Sequence, residues 1–264
     1  MFRIALLDGF TLRSQAPEPV VSDLPRGVQR LVAFLCLSRG PARTAVAGRL
    51  WPDVREEQAQ ASLRSALWRL RRTAPGLVVG TPCGLSLAAG VRVDVRELQV
   101  WAERVLDPRG RTDQVFLPDT ALRGDLLPGW YDDWVLLERE RVRQHRMHAL
   151  EAVAARLAAA GHHGTAVQAA HLAIQAEPLR ESAHRTLVRV HLAEGNTTEA
   201  LRAYTLFREM LLDELGVLPT EQMTRLIRSI PQRRDEATRA HPSIGESVLR
   251  SRAVVSPAVA SGRA

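Results

Sequence analysis

The chain has 264 residues, enough for two ordinary cores, since domains cluster near about 100 to 150 residues. Its 45% apolar and 25% charged content is that of a globular protein, and no run reaches the roughly 18 uncharged apolar residues of a membrane span. All 36 of its Lys-or-Arg side chains are arginine, which excludes a phosphate-cradling loop of the Walker type, because that loop needs a lysine.

The positive charge is uneven. Residues 1–100 hold 14 arginines against 8 acids, residues 101–231 hold 16 against 18, and residues 232–264 hold 6 against 3. A basic first segment followed by a slightly acidic one suggests that the first meets a polyanion and the second does not. The opening MFRIALLDGF lacks a basic lead, a long apolar run and a small-residue cleavage site, which places the chain in the cytoplasm. Cys36 and Cys83 show no CxxC spacing and read as buried or free thiols.

In chain order, short alternating segments come first: Phe2, Ile4 and Leu6 on one strand face, Phe10 and Leu12 after an Asp8-Gly9 turn, and a third run at Val20-Val21. Three helical patterns follow, over residues 27–38, 44–51 and 56–73, the second closed by Pro52 and the third by Pro75-Gly76. Residues 77–79 and 85–87 flank Gly80-Thr81-Pro82-Cys83-Gly84 and read as a β-hairpin. A sheet, three helices and a hairpin make an α+β winged helix-turn-helix, placed at residues 1–93. From 94 to 231 long Ala/Leu/Arg helices take over, interrupted at 107–130. Gly161 and Gly195 lie 34 residues apart, as do His162 and Asn196, Ala166 and Ala200, and Ala170 and Tyr204. That is the period of a tetratricopeptide repeat, so the second domain is expected to be all-α and repeat-like. Residues 232–264, rich in Arg, Ser, Pro and Ala, read as a disordered tail.

The helix within EEQAQASLRSALWRLRR carries the sharpest signal. At about 100° per residue, Leu63, Ala66, Leu67 and Leu70 share one arc, while Arg64, Ser65, Trp68, Arg69, Arg71 and Arg72 fill the other without an acid among them. Guanidinium suits both phosphate oxygens and the O6/N7 edge of guanine, so this face fits a DNA major groove. Arg64, Ser65 and Trp68 are placed near base edges and Arg69, Arg71 and Arg72 near phosphates, although sequence alone does not sort these roles. The alternative is an ordinary solvated face, with Trp68 packed on the hairpin. Thr81 at the hairpin tip reaches phosphate or the minor groove, or is an ordinary polar turn residue.

Other clusters point to no chemistry. His145, His148 and Glu151 recur on one helix at metal-ligand spacing, but solvation or pairing explains them better. His162-His163 falls at a turn between helices. Asp132-Asp133 and Glu138 read as helix-start charge paired with Arg139 and Arg141 rather than as catalytic carboxylates. No nucleophile, cofactor or metal motif supports an enzyme.

The blocks RLWPD, SLRSALWRLRR and VDVRELQVW, followed by GDLLPGWYDDWVLLERERVR, ALEAVAARLAAAG, AEPLRESAHRTLVRVHLAEGNTTEALRAY and DELGVLP, resemble the Streptomyces antibiotic regulatory protein family over about residues 1–230. The resemblance implies an OmpR-like winged helix fused to a bacterial transcriptional activation domain of tetratricopeptide-like fold. It implies a pathway-specific activator of antibiotic biosynthesis that binds short direct repeats near the −35 region as a homodimer, with protomers head to tail about one helical turn apart. The partners it implies are double-stranded promoter DNA and RNA polymerase holoenzyme, including the principal sigma factor, with no cofactor and no membrane. Unlike large members, this chain shows no ATPase or sensor extension after residue 264, and it shows no receiver domain. A different function, a repressor with the helical domain as ligand sensor or scaffold, is distinguished by a ligand or partner that abolishes DNA binding.

Overall fold

The computed structural model describes residues 1–14, 24–82, 84–107, 109 and 116–230. Strands β1 (Phe2–Ala5) and β2 (Thr11–Ser14) pair antiparallel, joined through Asp8 and Gly9 at φ 65° and 127°; the second value is one that glycine reaches without strain. The expected run at Val20-Val21 lies outside the described residues, as do Cys83 and the tail. Among the described residues the third strand of this sheet is β5 (Arg92–Val93), parallel to β1, giving the order β2-β1-β5.

Between these strands lie α1 (Arg26–Leu37), α2 (Arg43–Leu50), α3 (Glu56–Thr73) and the hairpin β3 (Val78–Thr81) and β4 (Gly84–Leu87). Helix α1 buries Val28, Leu31, Val32 and Leu35, the three-and-four spacing of one helical face. Helix α2 stops ahead of Pro52 and α3 ahead of Pro75, as the steric demand of proline on its predecessor requires. Strand pairing in the hairpin runs out to Thr81 and Gly84, so Gly80, Thr81 and Gly84 belong to the strands rather than to the tip expected.

Helix α4 (Asp94–Leu106) follows β5 directly, and a 3-10 turn at Asp119–Leu122 precedes α5 (Asp133–Ala159). Helices α6 (His163–Ala176), α7 (Glu181–Glu194), α8 (Thr197–Leu215) and α9 (Glu221–Arg228) complete the described chain. The offset of 34 residues is structural. Gly161 and Gly195 both turn left-handed, at φ 82° and 83°, and His162 and Asn196 sit at the N-caps of α6 and α8. Ala166 and Ala200 are both fully buried, so the architecture is a winged helix followed by a helical repeat. Among the described residues no helix is long and apolar enough to cross a membrane.

The two parts share one core, continuous from Ile4 through α1, α3 and α4 to α5, α6 and part of α7; a second cluster gathers Ala200, Phe207, Leu211 and Met223. Backbone bonds stitch the parts together. Leu127 N–H donates to the Leu6 carbonyl (2.8 Å), Asp8 N–H to the Asp125 carbonyl (3.0 Å), and Leu7 bridges Leu126. Arg139 then donates to the carbonyls of Leu126 (2.8 Å), Leu127 (2.6 Å) and Trp130 (2.9 Å). Asp94, buried at the start of α4, accepts from the N–H groups of Leu6, Leu7 and Val95; burial pushes its carboxyl up while those three donors pull it down. Phe34 of α1 meets Trp134 of α5 edge-on at 5.4 Å, and Arg26 lies 3.5 Å over the Trp130 ring.

Within the repeat, His184 stacks on Phe207 with ring centroids 4.0 Å apart, and its Nε2 lies 2.8 Å from the Pro178 carbonyl. Burial holds this imidazole below its ordinary value of 6.5. Because the folded state resists protonation and the unfolded state does not, the contribution is intact above the unfolded value and is lost as pH falls below it. Urea unfolding between pH 7 and 5 should therefore show a loss of stability that His184→Gln reduces; an identical pH slope in the variant would contradict this assignment.

Candidate nucleic-acid interface

Helix α3 occupies residues Glu56–Thr73, the bounds expected, and opens with Glu56 and Glu57 against the positive end of its dipole. Leu63, Ala66, Leu67 and Leu70 are buried, whereas Arg64, Ser65, Trp68, Arg69, Arg71 and Arg72 are all exposed. All six thus stand on the solvent side of one helix. Among the described residues none of these four arginines has an ion-pair partner, which leaves each guanidinium free for an external acceptor.

Trp68 does not pack on the hairpin. It is 58% exposed, and its ring partner is Arg72 of its own helix, whose guanidinium carbon lies 5.0 Å from the ring centroid. Arg71 takes the place next to the hairpin, at a narrow crevice it lines with Ala74, Val78 and Gly80. Thr81 is exposed, and its hydroxyl oxygen accepts from the Gly84 N–H (3.0 Å), which uses one of its two lone pairs in the turn. Arg43, at the start of α2, escapes sequence reading: its Nη2 comes within 3.4 Å of where a side chain on Gly80 would begin, joining α2 to the hairpin. Only the hairpin register brings these two residues together.

The remaining clusters are structural. Glu151 accepts from Arg180 (2.8 Å) and Ser182 (2.7 Å), and His148 faces the same Arg180 at 3.3 Å, so the pairing explanation applies to both. Among the described residues no group of three metal-ligating side chains converges. Asp132 pairs with Arg30 of α1 (2.5 Å) and Glu138 with Arg141 (3.5 Å). The expected pairing of these carboxylates with Arg139 is not formed, because three backbone carbonyls claim that guanidinium. Cys36 is buried, which pushes its thiol up and removes it from thiolate chemistry.

Residues 118–231 match the family model described as the bacterial transcriptional activator domain. That match covers most of the helical repeat and lies wholly within residues 94–231. The regulatory protein AfsR of Streptomyces coelicolor is 30% identical over 239 residues, an alignment that covers 85% of this chain and 23% of AfsR. The chain therefore spans about a quarter of that relative's length. The structure of EmbR from Mycobacterium tuberculosis, solved with a low-affinity phosphopeptide, superposes with a TM-score of 0.66 at 20% identity, covering 89% of this chain and 67% of EmbR. EmbR shares the fold. The similarity to AfsR extends over both the winged helix and the helical repeat.

The hairpin is fixed against the loop between α1 and α2, where Leu85 N–H donates to the Pro41 carbonyl (3.0 Å). Gly84 permits this approach, since a Cβ there would collide with that carbonyl, 2.6 Å from its carbon. Gly84→Ala should cost about 1–3 kcal/mol of stability, the range for forced overpacking, by shifting the hairpin off the loop. Denaturant unfolding checks this, and a variant as stable as the parent would show that the hairpin is not held there.

Proposed function

We propose that this chain is a sequence-specific DNA-binding transcriptional activator that presents α3 to the major groove. The observation that carries the proposal is the exposed outer face of α3, with Arg64, Ser65, Trp68, Arg69, Arg71 and Arg72 unopposed by acid partners, set between α2 and a hairpin. An exposed tryptophan among free arginines is what a base-edge and phosphate surface needs, and a solvated face has no use for it. Residues 1–93 supply DNA contact, with Thr81 and Arg43 reaching the backbone beside α3. Residues 94–231 supply protein contact, which the activator-domain match supports.

In this reading the protein binds direct repeats near the −35 region of promoters for antibiotic biosynthesis, as a dimer on DNA, and recruits RNA polymerase holoenzyme through its principal sigma factor. The family resemblance, rather than side-chain geometry, carries those finer elements. The chain is a regulator and not an enzyme.

Genomic fragments selected by the full chain provide the test. Arg64→Ala or Trp68→Ala should lower affinity for the selected site tenfold or more without changing the melting temperature, while Arg69→Ala should weaken all sequences alike and reduce the salt slope by about one. Unchanged footprints from both of the first two variants would remove α3 from the interface. With purified polymerase, the parent should raise transcription from the selected promoter; a fall in transcription would favour repression.

A further inference from the structure

A cleft of about 870 Å³ runs along α4, and none of the residues proposed to contact DNA lines it. Its volume falls in the range of small-molecule sites, roughly 300–1,000 Å³. The middle is apolar: Val100 is 44% exposed, Phe116 is 59% exposed, and Trp101 lies between them with its indole N–H tied to the Phe116 carbonyl at 3.0 Å. The ends are cationic. Arg3 and Arg92 stand side by side on the paired strands β1 and β5, and Arg104 and Arg156 flank the other end.

The charge balance favours an anion. Five arginines line the cleft against Glu97, Asp107 and Asp119. Glu97 is paired with Arg92 (2.7 Å), Arg96 spends its guanidinium on the carbonyls of Leu35, Cys36 and Ser38, and Arg156 donates to the Asp107 carbonyl. Arg3 and Arg104 have no partner among the described residues. A site with an exposed aromatic-aliphatic floor and two unspent guanidiniums matches a molecule that has an apolar body and an acidic group.

We infer that this cleft is a binding site for a small amphipathic organic anion, an aromatic or aliphatic carboxylate or phosphate ester, whose body covers Val100 and Phe116 and whose charge is met by Arg3 or Arg104. The inference is independent of the role of α3. The cleft is walled by β1 and β5 on one side and by α4 and the 116–120 segment on the other, so an occupant touches both parts of the chain at once.

The probe is 1-anilinonaphthalene-8-sulfonate, titrated by fluorescence into the full chain. One equivalent should bind, and the uncharged analogue N-phenyl-1-naphthylamine should bind at least tenfold more weakly. Val100→Glu should abolish binding, and the pair Arg3→Glu and Arg104→Glu should weaken it at least tenfold, with melting temperatures confirming that each variant is folded. Leu215→Glu, on the exposed apolar end of α8, should leave the titration unchanged. Equal binding of the two dyes, unchanged binding in Val100→Glu, or loss of binding in Leu215→Glu would overturn the inference.

Discussion

The short backbone ladder between Leu6–Asp8 and Asp125–Leu127 decides how the rest of this molecule is arranged. A peptide group buried without a partner costs about 1–3 kcal/mol, so the segment that crosses to the N-terminal sheet before leading into α5 has to find acceptors and donors there. It finds them by extending the line of β1, and Arg139 pins the loop that results by filling three carbonyls at once. Asp94 performs the matching task from the other side, accepting from the N–H groups of Leu6 and Leu7 just beyond β1. With both edges of that segment satisfied, the winged helix and the helical repeat become one body around a continuous core.

That constraint gives the proposed activity its geometry. Helix α3 packs on α1, α1 packs through Phe34 on Trp134, and Trp134 opens the long helix α5 on which the repeat is built. A body held in this way places the helical repeat at a fixed angle to whatever α3 touches. A protein that recruits a second macromolecule to a DNA site gains from this, because no linker entropy is lost when both partners engage. The same rigidity would carry the effect of an occupant in the α4 cleft, since its walls come from both sides of the ladder.

Much of this was written in local patterns. The bounds of α3 follow from an apolar arc of period 3.6 and the Pro75-Gly76 stop, and the repeat follows from glycines and small residues 34 apart. The outer arc of α3 was equally readable, because exposure on an isolated amphipathic helix depends only on spacing. What escaped were features made by distant residues. Strand β5 is two residues long and has no alternation to detect, so its partnership with β1 is visible only in space. Arg139 was assigned to a carboxylate because sequence shows charges but not unpaired carbonyls. Arg43 beside Gly80, and the cleft along α4, arise from segments far apart in the chain, as Arg3 and Arg156 are, and leave no mark in any one of them.

The central claim, that one rigid body links α3 to the repeat, is tested most directly by a distance. Spin labels at Gln58→Cys on α3 and Arg208→Cys on α8, both exposed, in a Cys83→Ser background that leaves buried Cys36 unlabelled, report it by pulsed electron resonance. The ladder and its Arg139 clamp lead to a single narrow distance distribution that stays the same when DNA is added. A broad distribution, or two populations that exchange on DNA binding, would contradict it.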